Sequence, residues 1–306
     1  MLTEIIIYVL FLVISLFRKI LKNDSNIPSL YSGGNADNKH YAIVKYNSNL
    51  LKYNYSESVK DTANSAPHKE IADMIQYKEK LQTMLNLSEE EKKVYLNISE
   101  KYFNRFSDLT PHPDFLMDAQ GWYSVMANGA VKTMIEKFNS IIESSDIIYD
   151  FFAGCGGSAY GLAKSFPSKK VIAIELDLIR HRLLSHNLKD VPNAIAICDS
   201  VWNYKNIQRN SVIYMSPPWE NSKHYTQNNM KNMMVGELSA FDWTLVCLKS
   251  KPTLLILHLP RKMKINDSFY NVSGYNKTWY MIQRPDSPGH HPIDSLLLVY
   301  TKVAGT

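Results

Sequence analysis

Apolar and polar positions follow three regimes along the chain. Residues Ile5 to Phe17 form an uncharged run, IIIYVLFLVISLF, and Arg18, Lys19 and Lys22 follow at once. This is short for a membrane span of roughly 20 residues, but it approaches that length if Leu2, Ile20 and Leu21 are included and the basic side chains snorkel. No basic stretch precedes it and no small-residue cleavage site follows. Residues 1–22 are therefore expected to form an uncleaved anchor, with the rest of the chain facing the cytosol; the alternatives are a buried helix and a mispredicted start or targeting segment. From 23 to 66 the chain is rich in Asn, Ser, Lys and Tyr without sustained periodicity, and reads as a polar linker. After Pro67 the spacing becomes helical, with apolar residues at Ile71, Met74, Ile75, Leu81 and Leu85. Ser88-Glu89-Glu90-Glu91 is a capping-box signature that predicts a second helix through about Phe103. Residues 67–117 are expected to be a small helical lobe.

From Ile147 onward, strand and helix patterns alternate. The apolar runs IIYDFFAG, KKVIAIELD, NAIAIC and SVIYMS are interleaved with SAYGLAKSF and LIRHRLLSHNL, which fit short helices. A βαβαβ order implies a parallel sheet covered on both faces, that is, a doubly wound, Rossmann-like α/β fold. Residues 118–306 are expected to form this domain. Ligands of such sheets bind outside the carboxyl ends of the strands, beside the topological switch point. The turns after the strands are thus where chemistry should lie.

Composition changes this picture little. A chain of 306 residues accommodates one α/β domain with appendages. With 45% hydrophobic and 21% charged residues it can bury a real core. The net charge of +5 permits an anionic partner without requiring one. Cys155, Cys198 and Cys247 are far apart and form neither a zinc spacing nor a disulfide framework, so no metal is expected and the compartment is reducing. His290 and His291 lack a Cys or acidic partner at ligand spacing and read as loop residues. His181 and His186 read as surface positions of a helix.

The first strand leaves through Asp150-Phe151-Phe152-Ala153-Gly154-Cys155-Gly156-Gly157. Gly154 and Gly156 would let the backbone approach a ligand closely at a helix amino end. The G-x-G-G spacing, however, lacks the third glycine of the dinucleotide fingerprint. Glu175 ends the second strand, where an acid can accept hydrogen bonds from a ribose diol. NAD and S-adenosylmethionine both carry that diol. The lack of an evident pyrophosphate site and the proline-capped fourth strand favour the sulfonium cofactor.

That fourth strand ends in Ser216-Pro217-Pro218-Trp219. A proline pair ends a ladder and stiffens the backbone beyond it. A Ser/Asp/Asn-Pro-Pro-aromatic sequence at this place resembles the pattern with which many class I methyltransferases modify an exocyclic amine. Such an amine is weakly nucleophilic, and its N–H groups must be held by acceptors so that nitrogen faces the methyl carbon in line with sulfur. The Ser216 oxygen and the Pro217 carbonyl can serve as those acceptors. Trp219 adds a π-face for a base, best for a positively charged one; the competing reading is a tryptophan buried in the core. No general base is evident, and none is needed if the amine loses its proton to solvent after transfer. Lys223, His224, Arg261, Lys262 and Lys264 fall in loops expected at the same rim, as a phosphate-facing patch or a solvated surface.

From about Lys93 to the carboxyl terminus, an ordered set of segments resembles the trimethylguanosine synthase family, the RNA cap guanine-N2 methyltransferases. The set is KYFNRF, DAQGWYSV (Asp118 to Val125), DFFAGCGGS, VIAIELD, SPPW and LPR (Leu259 to Arg261). GWYSV is the most specific of these, since ordinary methyltransferase sheets lack it. The resemblance implies a class I S-adenosylmethionine-dependent fold with the helical lobe over cofactor and cap. It also implies methyl transfer to N2 of a 7-methylguanosine cap on RNA, by a monomer in the nucleus or cytoplasm unless the anchor holds it at a membrane. Asp150, Gly154, Gly156, Glu175 and Asp199 would bind the cofactor, Asp199 reaching the adenine amine from a shifted position. Ser216, Pro217 and Trp219 would be catalytic, with Trp219 stacking on the methylated base. Ser124 would lie against the base, Arg261 would bind phosphates, and Tyr225 and Lys93 would complete the cap site.

The chain departs from the family pattern in four places. The loop before Tyr225 is one residue longer, Lys93 is offset by one, Ile197-Cys198-Asp199-Ser200 stands where Ile-Cys-Gly-Asp is usual, and several residues beyond the family's spacing separate Arg105 from Asp118. Two other readings stay open. One is an exocyclic-amine methyltransferase acting on adenine N6 or rRNA guanine N2. The other is a non-catalytic, membrane-tethered cap-binding module, against which Asp150, Gly154 and Glu175 weigh.

Overall fold

The computed structural model describes residues 41–46, 68–99, 103, 109–204, 207–219, 230, 233–261, 263, 270–284 and 293–305. All of them belong to one of the two units into which the chain divides. The other unit, residues 1–33 and 57–64, lies outside the described residues, as does the anchor expected over 1–22. Among the described residues no helix is long and apolar enough to cross a membrane.

In chain order the elements are strand β1 (Ala42–Lys45) and helices α1 (His68–Leu85), α2 (Glu89–Tyr95), α3 (Gly121–Ser124) and α4 (Asn128–Glu143). Then come β2 (Ile147–Phe151), α5 (Gly157–Ser165), β3 (Lys170–Glu175), α6 (Leu178–Leu188), β4 (Ala194–Cys198) and β5 (Ser211–Met215). The hairpin β6 (Met234–Val235) and β7 (Leu238–Ser239) leads into α7 (Ala240–Lys249), β8 (Leu254–Pro260), β9 (Tyr275–Gln283) and β10 (Ile293–Lys302).

Two expectations need correction. The linker over 23–66 contains β1, which pairs antiparallel with β9 from Ala42↔Gln283 to Lys45↔Tyr280. Ile43 enters one core and Val44 packs against the other, while Ala42 and Lys45 at the two ends are exposed, an apolar pair too short to stand out from polar surroundings. Helix α2 does open on its capping box, with Ser88 Oγ accepting from Glu91 N and the Glu91 carboxylate accepting from Ser88 N at 2.8 Å. It does not run on to Phe103. It stops at Tyr95, where Leu96 leaves helical geometry at ψ 5°, and the turn beyond delivers Ile98 to the core.

The main sheet has the order β1-β9-β10-β8-β5-β2-β3-β4. Strands β4, β3, β2, β5 and β8 run parallel, and β10 is reversed between β8 and β9. This is the sheet of the class I methyltransferase fold. The chain moves outward from β2 through β3 to β4, then returns to β5 on the other side, so the switch point falls between β2 and β5. Alternate residues of each strand feed two cores. Ile148, Val171, Val212 and Ile256 pack under α4, α5 and α6, whereas Tyr149, Ile172, Ile213 and Leu257 pack under α7. Tyr77, Trp122 and Phe103 form an aromatic cluster with ring centroids 5.3–5.5 Å apart, so the Trp of GWYSV is a core residue packed against α1.

Candidate active site at the carboxyl ends of β2, β3, β5 and β8

Parallel register sets the first layer of the site. Ala173, Asp150, Tyr214 and Ile256 stand side by side across β3, β2, β5 and β8. Because side chains alternate, the same face next presents Glu175 on β3, Ser216 after β5 and His258 on β8. At the switch point, Ser216 N donates to the Phe151 carbonyl (3.3 Å), which binds the start of SPPW to the strand that becomes the glycine turn.

The turn itself is strained. Phe152 is left-handed at φ 64°, and Gly154 and Gly156 have φ 56° and 93°. A bulky residue in that region costs on the order of 1–3 kcal/mol and persists where neighbours over-determine it. At Gly156 a Cβ would come within 2.5 Å of Leu184 Cδ1, so glycine is needed for the approach of α6. At Gly154 a Cβ would meet nothing within 4 Å, so this glycine faces open space.

Asp150 is fully buried. Its Oδ2 accepts from Ser158 Oγ (2.7 Å), while Oδ1 has no partner. Burial, with Glu175 nearby adding to it, pushes its carboxyl up to about 7. Glu175 is raised too, mainly by burial. Its Oε2 accepts from Gly154 N (2.8 Å), and its Oε1 from Leu176 N (3.0 Å) and Asp177 N (2.9 Å). The carboxylate therefore braces the glycine turn, and its remaining lone pairs are what a diol could reach.

Asp199 lies at the next strand end, half-exposed, its Oδ1 accepting from Ser200 N and Asn203 Nδ2. Pro217 is buried and Ser216 and Trp219 half-buried. Trp219 Nε1 donates to the His258 carbonyl (3.3 Å), and its ring meets the His258 ring edge-on at 4.8 Å.

Lys93 and Ser124, expected at the cap site, both lie on the surface. Lys93 is exposed on α2, and Ser124 is exposed with its hydroxyl donating to the Gln120 carbonyl at 2.8 Å. Tyr95, from the same helix as Lys93, is the residue that reaches the sheet, its hydroxyl donating to Asp177 Oδ2 (2.9 Å). Asp177 caps α6 through Ile179 N and Arg180 N. Arg180 then binds buried Asp118 (3.0 Å) and the Gln120 side chain (2.7 Å). Burial opposes its charge, but Asp118, Asp177 and Glu175 outweigh that and hold it above the ordinary guanidinium range. Asn187 completes the tie by bonding Leu116 and the Cys155 carbonyl.

Arg261 directly follows β8, half-buried. Tyr225, His290, His291, Lys223, His224, Lys262 and Lys264 lie outside the described residues. Among the described residues no His/Cys/Asp/Glu cluster could hold a metal.

Sequence reasoning missed His258, Arg180 and Tyr95. His258 stands immediately before the LPR segment and could have been noticed as a polar residue inside an apolar strand. Arg180 lies three residues after an N-cap acid, which on sequence suggests only a helix-surface pair.

Residues 145–278 match the family model described as RNA cap guanine-N2 methyltransferase. That segment contains Asp150, Gly154, Gly156, Glu175, Asp199, Ser216, Pro217, Trp219 and Arg261, but neither Lys93 nor Ser124. Over 136 residues the chain is 31% identical to the trimethylguanosine synthase of Schizosaccharomyces pombe, covering 42% of this chain and 53% of that protein. The chain thus spans about half the length of that curated relative. Similar solved structures include TrmN from Thermus thermophilus, with TM-score 0.41 and 13% identity over 58% of this chain and 49% of that one. An rRNA methylase from Streptococcus thermophilus gives TM-score 0.36 and 14% identity over 57% and 93%.

Proposed function

We propose that this chain, whose residues 145–278 match the model of the RNA cap guanine-N2 methyltransferase family, transfers a methyl group from S-adenosylmethionine to N2 of a 7-methylguanosine cap. The observation that carries the reading is the bond from Ser216 N to the Phe151 carbonyl. It makes the acceptor edge of SPPW and the glycine turn neighbours on one wall of the switch point.

The residues fit the cofactor. Open space in front of Gly154 and the unpartnered, buried Oδ1 of Asp150 suit the ammonium of an amino-acid moiety, and Glu175 and Asp199 stand toward a nucleoside. When bound, S-adenosylmethionine supplies an electrophilic methyl carbon on a sulfonium with a neutral thioether as leaving group. Ser216 Oγ and the Pro217 carbonyl accept from the amine and aim its nitrogen. Trp219 offers its indole face to the base. Because Nε1 is pinned to the His258 carbonyl, the ring is oriented before the base arrives, which lowers the ordering cost of binding. A cationic 7-methylguanine gains about 0.5–2 kcal/mol over an uncharged base from cation–π attraction.

Capped RNA as the partner, with Tyr225 toward the base and Arg261 toward phosphates, is supported by the family match over 145–278; Ser124 against the base and Lys93 at the cap site rest on the resemblance of the segments that precede it. An anchor over 1–22 is supported by the uncharged run Ile5 to Phe17 alone. Carbonate extraction of the full chain from membranes tests it, and release would remove it.

A methyl-transfer assay on m7GDP, GDP and adenosine side by side tests the function. The expected result is a preference for m7GDP over GDP of roughly tenfold or more. Equal turnover of GDP would remove the requirement for prior N7 methylation, turnover of adenosine would assign a different amine, and binding of m7GDP without turnover would leave a cap-binding module.

A further inference from the structure

His258 is the one site component on β8 that the family pattern did not supply. It is 2% exposed, and burial drives its imidazole down to about 3, so the ring is neutral at any working pH. Its Nδ1 stands 3.2 Å from Ser216 Oγ. The contact follows from register: Tyr214 pairs with Ile256, and the next residues on that face are Ser216 and His258. Nε2 is buried without a hydrogen-bond partner. Such a histidine carries a desolvation cost that an apolar ring would avoid. What it provides in return is a nitrogen beside the serine that faces the acceptor site.

We propose that His258 is a positioning residue of the acceptor site. In this arrangement Nδ1 accepts a hydrogen bond from the Ser216 hydroxyl and the buried Tyr214 hydroxyl donates to the Ser216 oxygen, so that oxygen meets an incoming group through its remaining lone pair only. The assignment rests on the methyl-transfer reading for its consequence but not for its geometry. A neutral imidazole has one acceptor nitrogen and one donor nitrogen. The Nε2–H form is favoured in free imidazole and leaves Nδ1 as the acceptor, but it buries an N–H without a partner; the other tautomer would instead have Nδ1 donate to Ser216 Oγ, and a measurement of the tautomer separates the two. With the hydroxyl proton directed inward, Ser216 can accept from an N–H and can offer nothing to a carbonyl oxygen or a bare ring nitrogen. The site then selects an amine over the neighbouring acceptor atoms of a purine. A freely rotating serine would present its proton to the same nitrogen part of the time and push the lone pair away from the methyl carbon.

The ring also meets Trp219 edge-on, while the bond to the indole comes from the main-chain carbonyl of His258. His258→Phe therefore keeps the aromatic packing and the indole bond and removes both ring nitrogens, of which Nδ1 faces Ser216 and Nε2 has no partner. His258→Asn places an acceptor oxygen where Nδ1 stood.

The test uses the full chain with m7GpppG and S-adenosylmethionine, comparing wild type, His258→Phe, His258→Asn, Ser216→Ala and the His258→Phe/Ser216→Ala pair. His258→Phe is expected to lower kcat about tenfold, with KM for S-adenosylmethionine unchanged and the melting temperature not reduced. His258→Asn should regain part of kcat. In the Ser216→Ala background His258→Phe should cost nothing further, since it acts through a hydroxyl already gone. Wild-type kcat in His258→Phe, or losses that multiply in the double variant, would overturn the proposal. Nitrogen-15 NMR of the ligand-free protein reads the tautomer directly, with Nδ1 expected bare and Nε2 protonated; a protonated Nδ1 would also overturn it. If wild type leaves m7GpppG unmethylated, the cap reading fails, and the tautomer measurement still decides the contact between His258 and Ser216.

Discussion

Asp150→Asn separates what the site needs for binding from what the fold needs for stability. The carboxyl of Asp150 is moved from 3.8 to about 7, chiefly by burial. An acid raised in the folded state contributes most to stability below its unfolded value and loses that contribution as pH rises toward the folded value. At about 1.36 kcal/mol per unit, a shift of about three units costs the folded protein about 4 kcal/mol above pH 7, of which about 2 is already present at pH 5. Asparagine keeps an acceptor for Ser158 and carries no charge to desolvate. Urea unfolding at several values between about pH 5 and pH 8 should show the variant gaining on wild type by about 2–3 kcal/mol as pH rises. Glu175, also raised by burial, contributes a slope of the same sign to both proteins and largely cancels in the difference. Titration with S-adenosylhomocysteine should move the other way. Loss of a charge-assisted hydrogen bond worth roughly 1.5–3 kcal/mol would weaken binding about tenfold to a hundredfold. A stability difference that stays constant with pH would refute the buried, high-pKa carboxyl, and unchanged affinity would remove Asp150 from the cofactor site.

Two further substitutions probe the remaining parts. Trp219→Ala should abolish detectable cap methylation, and Trp219→Phe retain some, with cofactor affinity unchanged and little thermal destabilisation because Trp219 is only half-buried; a loss of roughly 3–5 kcal/mol in a melt would instead make it a packing residue. Arg180→Met leaves Asp118 buried without its cation and should cost roughly 3–5 kcal/mol in chemical denaturation, much of which Asp118→Asn in the same chain should recover; two purely additive losses would mean the pair does not tie the lobe to the sheet.

Local pattern was enough for the alternating elements from Ile147 to Met215, because period and turn chemistry are properties of neighbouring residues. It was also enough for the strand ends at Asp150, Glu175 and Ser216, since a parallel sheet puts its ligands at those ends wherever the strands lie. The capping box at Ser88 was legible for the same reason, but the helix end was not. Tyr95 ends α2 because Ile98 is needed in a core built by distant residues. Strand β1 depended on β9, more than two hundred residues later, and its short apolar pair means nothing without that partner. The same holds at the site. His258 is a polar residue in an apolar strand until register places it beside Ser216, and Arg180 is a helix-surface cation until Asp118 covers it. Sequence alone determined which residues sit at strand ends and what chemistry they carry; tertiary structure decided which of them touch, because contacts between distant segments come from sheet order and burial, which no local window contains.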